Sequence, residues 1–243
     1  MRRKKRTNGG TDKIHPVVSG LCFYTLKIGI FGQTKNGTVP KETFMALVGR
    51  HTDNPGPAER GWDEIAACYT DKKRHYHTLQ HLSNLLVSLE SVRKNITDWD
   101  TVLFALFYHD IVYKATRKDN EEKSAELARL RLEAIGYPAD RTARCVAHIL
   151  ATKSHAPGAD GDTDLFTDAD LGILGADEAT YREYARQVRA EYAVYPDFMY
   201  YPGRRKVLAH FLEMPYIFKT PEFRHLFEEQ ARTNLKNEYA LLV

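Results

Sequence analysis

The sequence predicts an all-α fold, and three observations carry that expectation. Beyond Pro40, apolar residues recur at three- and four-residue steps, the spacing that builds one face of a helix. Residues that cap or stop helices fall between those runs. No run of alternating β-branched residues is long enough for a strand. In chain order, Leu82, Leu85, Leu86 and Leu89 form one stripe on a helix over about 76–94. Thr97 or Asp98 caps the next, which runs through Val102, Leu103, Leu106 and Phe107. Leu127, Leu130 and Ala134 mark a third, closed by Gly136 and Pro138. Residues 138–154 read as a fourth, with Val146, Ile149 and Leu150 inward. Residues 158–164 read as a loop from their Gly and Asp content. Helices resume over 179–192, 204–212 and 221–239, and there is no internal repeat.

The 243 residues make one large domain or a domain with an extension; 43% hydrophobic and 28% charged residues are ordinary for a soluble globular chain. The net charge of +3 misleads, because removing Arg2, Arg3, Lys4, Lys5 and Arg6 leaves −2 for residues 7–243. A basic run this short reads as a solvated tail, and no aromatic residues interleave with it as stacking on single strands requires. Residues 17–32 are apolar, but Lys27 interrupts them, and they fall short of the ~20 residues that span a bilayer. They also lack a small-residue cleavage site. The expected division is a poorly specified basic and apolar extension over 1–39 and a domain over 40–243. Cys22, Cys68 and Cys145 are odd in number and far apart, which argues against a disulfide framework and for a reducing, cytoplasmic setting. Neither nucleic acid nor a membrane is an expected partner, and self-association is left open.

The histidines are the most informative residues. His77 and His81 are four apart and would share a helix face. His109 and Asp110 end a strongly apolar helix, where adjacent polar residues call for a partner. His148 and His155 are seven apart, and Asp168 and Asp170 follow where a helix or turn ends. Imidazoles and carboxylates together suit a divalent cation such as manganese, iron, nickel, zinc or magnesium. Any one of these residues alone is more often an ordinary polar group; their joint occurrence on helices is what points to a metal. Asp160, Asp162 and Asp164 have the spacing that opens an EF-hand loop, but Leu165 and Leu171 replace its glycine and its bidentate glutamate. No glycine-rich phosphate loop is present.

These residues form an ordered series. Arg74-His75-Tyr76-His77-Thr78-Leu79-Gln80-His81 is followed by Leu106-Phe107-Tyr108-His109-Asp110-Ile111-Val112-Tyr113. Next come Asp119-Asn120-Glu121-Glu122-Lys123-Ser124-Ala125 and Ala151-Thr152-Lys153-Ser154-His155. Asp168-Ala169-Asp170-Leu171-Gly172-Ile173-Leu174-Gly175 closes the set. The series resembles the HD superfamily of metal-dependent phosphohydrolases, over about residue 40 to the C-terminus. The resemblance implies a helical bundle around a metal site, with His81, His109, Asp110 and Asp170 as ligands. Asp168 competes with Asp170, which occupies the position matching Ala-Asp-Leu. His77 is similar to a histidine that protonates the leaving oxygen in cyclic-nucleotide phosphodiesterases, although Thr78 stands where that pattern has Asn.

The implied activity is hydrolysis of a phosphate ester, with a nucleotide or another small phosphomonoester as substrate. A divalent ion lowers the pKa of a coordinated water and polarises a phosphoryl oxygen. Asp170 or Glu121 would take the water's proton; Glu121 is otherwise a first-turn helix charge. Arg74 and Lys153 are candidates to neutralise substrate phosphate, against the plainer reading of solvated surface charges. His155 is expected to contact that phosphate or a second metal. Two other readings stand beside hydrolysis. One is a dinuclear-iron oxygenase using His148 and His155 as further imidazoles, and the other is a non-catalytic nucleotide sensor.

Overall fold

The computed structural model describes residues 40–158 and 160–242, and the expected extension over 1–39 lies outside them. The described residues form ten α-helices and no strand: α1 (Pro40–Gly49), α2 (Gly56–Tyr69), α3 (Leu79–Val92), α4 (Trp99–Tyr108), α5 (Asn120–Ala134), α6 (Ala139–Ala151), α7 (Gly161–Asp170), α8 (Glu178–Glu191), α9 (Asp197–Glu213) and α10 (Pro221–Leu241). Short 3₁₀ segments follow α3 (Arg93–Asn95) and α7 (Leu171–Gly175). The expected all-α bundle is what the chain forms. Among the described residues, no helix is long and apolar enough to cross a membrane.

α4 is the axis of the bundle. Every residue from Thr101 to Tyr108 is buried, because α1, α3, α5, α6 and α7 all pack around it. A helix enclosed on all sides needs apolar residues on all sides, which is why this run reads as continuous rather than amphipathic. Asp98 caps it, accepting from the Thr101 N–H at 3.3 Å and the Thr101 hydroxyl at 2.6 Å. α3 buries its leucine stripe of Leu82, Leu85, Leu86 and Leu89 against this axis.

Several expected boundaries shift, each for a local reason. The helix expected from residue 76 starts at Leu79, because Thr78 is extended and serves as its N-cap. Residues 158–164 are not all loop: Asp160 accepts from the Thr163 N–H at 2.9 Å and starts α7 at Gly161. The aspartates that look like loop residues are first-turn acids, stabilised by the positive end of the helix. α9 begins seven residues earlier than 204 and contains Pro202. Pro202 and Phe198 are both exposed, so water can take up the carbonyl that the proline leaves unpaired. Leu150, expected inward, faces solvent at 39% exposure, as does Leu130 of α5 at 44%.

Candidate metal centre

Three helices deliver the site. His109 takes the C-cap position of α4, and Asp110 follows it. His81 stands in the first turn of α3, and Asp170 is the last residue of α7. α4 and α7 run the same way. The Asp162 carboxylate ties their starts, accepting from the N–H groups of Thr97 and Asp98 at 2.7 and 2.8 Å. At their far ends, His109 Nε2 lies 3.7 Å from Asp170 Oδ1. Two helix C-termini therefore bring partial negative charge to one spot, a placement that favours a cation.

His81, His109 and Asp110 offer ligand atoms that all lie within 4.8 Å of one another, a group that could hold a metal ion. The two imidazole Nε2 atoms are 3.0 Å apart, and His109 Nε2 is 3.0 Å from Asp110 Oδ2. Asp170 Oδ1 faces the same atoms, 3.4 Å from His81 Nε2. His109 Nδ1 donates to the Leu106 carbonyl at 2.9 Å, which turns the Nε2 lone pair of the neutral ring toward the cluster. Ligands bound at about 2.0–2.2 Å to one ion are themselves separated by about 3–3.4 Å. The donor set thus fits a divalent ion in chemistry and in spacing.

The electrostatics point the same way. Burial pushes His109 toward its neutral form, yet Asp110 and then Asp170 raise its pKa to about 9. At His81 burial prevails and the pKa falls, with the charge on His109 adding to the fall. Two imidazoles 3.0 Å apart cannot both be cationic, and the carboxylate contact decides which one is. Both aspartates resist the burial that would protonate them: His109 and His77 hold Asp110 down, and His155 and His81 hold Asp170 down. Four buried or half-buried groups together stabilise one extra positive charge.

The remaining expected residues divide into those the cluster gathers and those it does not. His77 is two residues ahead of α3 rather than on it, yet its Nε2 lies 3.8 Å from Asp110 Oδ2. Its charged form is supported by Glu191, whose Oε2 is 2.7 Å from His77 Nδ1. The other Glu191 oxygen accepts from the N–H groups of His75, Tyr76 and His77 at 2.8, 2.8 and 3.0 Å. Burial lowers the His77 pKa, but Asp110 and Glu191 outweigh it and the net direction is up. His155 lies past the end of α6 with a left-handed φ of 51°, and that backbone brings its Nε2 to 3.1 Å from Asp170 Oδ2.

The other candidates make different contacts. Arg74 is no phosphate clamp: its guanidinium donates to the carbonyls of Asp110 (2.7 Å), Ile111 (2.8 Å) and His77 (3.3 Å), bracing the segments that carry the site. His148 does not join the cluster; it packs near Phe166, and its Nδ1 is 2.8 Å from Thr163 Oγ1 in the first turn of α7. Asp168 is fully buried and accepts from the Lys219 and Thr220 N–H groups at 2.9 and 2.7 Å, so it anchors the entry to α10. Lys153 keeps a positive charge beside the site but is paired with Glu122 and donates to the Lys118 carbonyl at 2.8 Å. Glu191 is the contact to the candidate site that sequence reasoning missed; it stands in the last turn of α8 with nothing local to mark it.

His77, Asp110, Glu121, Lys153, His155 and Asp170 all line one cavity of about 560 Å³, within the usual range for small-molecule sites. Comparison of the chain with family models, curated proteins and solved structures finds no match in any of the three.

Proposed function

We propose that this protein is a metal-dependent phosphohydrolase of the HD type, acting on a small phosphomonoester, nucleotides included. His81, His109, Asp110 and Asp170 hold the ion. The observation that carries the reading is the convergence of two imidazole and two carboxylate groups, within 3.0–3.9 Å across the imidazole–imidazole and imidazole–carboxylate pairs, at one end of a ligand-sized cavity. The donor set suits manganese, magnesium, nickel, iron or zinc. A divalent cation there supplies Lewis-acid activation of water and neutralises charge on a phosphoryl group.

The chain's own residues supply the rest. His77, whose charged form Glu191 favours, faces the cavity and donates the proton that the leaving oxygen needs. Glu121 lines the cavity and lies 3.9 Å from Lys153 Nζ, so it can orient or deprotonate water there; Asp170 is the alternative base. Lys153 brings positive charge, and His155 an imidazole, to the wall where a phosphate would rest.

The test is hydrolysis by purified protein supplied with manganese, magnesium, cobalt or nickel, across nucleotides and sugar phosphates. Phosphate release that requires the metal supports the reading, and a metal-loaded protein that releases none from any ester removes it. Two irons per chain after aerobic purification would redirect the assignment to an oxygenase, although His148 is not placed to serve such a pair.

A further inference from the structure

The cavity has two chemically different ends. Beyond the candidate metal cluster its wall is apolar: Leu174 from the 3₁₀ segment, Val188 from α8, Leu208 and Phe211 from α9, and Leu235 from α10. Tyr184, Tyr192 and Tyr200 add rings, with Tyr192 and Tyr200 centred 5.9 Å apart. The one cation of the described lining at this end, Arg204, is spent on Glu238 through contacts of 2.7 and 2.9 Å. The described lining includes no asparagine or glutamine, the side chains that read the edge of a nucleobase. The described lining at this end includes no carboxylate to bind sugar hydroxyls, Glu238 standing behind Arg204. The apolar wall also continues outward. Met199 and Val207 belong to the lining and are 53% and 46% exposed, and Phe198 and Val194 beside them are 77% and 65% exposed.

We infer that the phosphomonoester this site accepts carries an apolar alcohol, alkyl or aryl, rather than a nucleoside or a sugar. The inference rests on the phosphohydrolase reading for the position of the phosphate and on the cavity wall for the nature of the rest. The apolar group lies along α8 and α9, and a long chain leaves over Met199 and Val207. A hydroxyl-rich leaving group would lose its water there and find only tyrosine hydroxyls in the described lining, with no carboxylate or amide, whereas an alkyl chain gains from each buried methylene.

The experiment pairs catalysis with binding. With manganese present, kcat/KM is measured for methyl, butyl and octyl phosphate, naphthyl phosphate, adenosine monophosphate and glucose phosphate. Binding of the matching alkylphosphonates is measured by calorimetry with and without manganese. Both kcat/KM and phosphonate affinity should rise about two- to fourfold per methylene until the chain reaches the exposed rim. Octyl and naphthyl phosphate should exceed adenosine monophosphate at least tenfold, and Met199→Asp should flatten the chain-length response. Phosphonate affinity that climbs with length while no ester is hydrolysed would keep this inference and remove the phosphohydrolase reading. Hydrolysis indifferent to chain length, or a preference for the nucleotide or sugar ester, would overturn this inference and leave that reading intact.

Discussion

At the scale of single residues, His77 depends most on a distant neighbour. Its ring is held between Asp110 at 3.8 Å and Glu191 at 2.7 Å, and it packs on the tilted ring of Tyr113 with centroids 4.1 Å apart. If it is the general acid, His77→Ala should retain the metal and lower kcat by ~10²–10⁴-fold. The loss should be smaller on a nitrophenyl phosphate, whose leaving group needs no proton. Loss of metal would make His77 a ligand instead, and equal defects on both substrates would exclude the acid role. Glu191→Gln should keep the ion and reduce kcat roughly tenfold, since an amide still accepts from the backbone but no longer favours the charged ring. The two residues differ in how legible they are. His77, His81, His109, Asp110 and Asp170 fall in short runs whose spacing shows in the sequence. Glu191 sits 114 positions from His77, in a helix turn like any other, so only the folded chain joins them.

At the scale of elements, the site depends on α4 and α7 keeping their parallel register. Asp98 secures the start of α4 and pairs with Arg141, Nε to Oδ2 at 2.9 Å, and with Arg144 at 3.4 Å. Burial alone would raise the Asp98 pKa, but the Arg141 hydrogen bonds and the cap contacts bring it down to about 2. A depressed carboxylate stabilises the fold above its unfolded value near 4 and loses that contribution as pH falls toward 2. Asp98→Ala should therefore cost about 2 kcal/mol in denaturant unfolding at neutral pH. The gap to wild type should close between pH 4 and 2, and a gap constant over that range would contradict the ionic account. A second element-level test is Gly175, at the end of the 3₁₀ segment that follows Asp170. A Cβ there would meet Phe227 Cβ at 2.4 Å and its backbone carbonyl at 2.8 Å. Gly175→Ala should push that segment off α10, costing about 1–3 kcal/mol and weakening metal binding through Asp170. Unchanged thermal stability would show that α10 yields freely. Most of these helices were readable, because their apolar spacing is local. The start of α7 was not, since an Asp-rich first turn and an Asp-rich loop look alike until a cap is seen. The first turns of α9 were hidden by Pro202, which a helix tolerates only because that face is wet.

At the scale of the whole molecule, the candidate metal ligands come from three helices at one end, so an ion bound there should act as a staple as well as a reagent. A ligand present at a hundredfold its Kd adds about 2.7 kcal/mol to stability. For a chain of this size that corresponds to a rise in Tm of about 5–10 °C with manganese, reversed by a chelator. A Tm indifferent to both would mean that the ion, if it binds, does not bridge the helices. The same holds for the alternative placement of the last ligand: Asp168 is committed to the backbone at the start of α10, so losing it should damage the fold, whereas losing Asp170 should spare the fold and damage the site. The most direct test of the account is metal stoichiometry, measured after loading and removal of free ion, in wild type and in His81→Ala, His109→Ala, Asp110→Ala and Asp170→Ala. One ion per chain is expected in the wild type and none in the folded variants, with phosphate release lost in the same four; full occupancy retained in Asp170→Ala or His109→Ala would contradict the account.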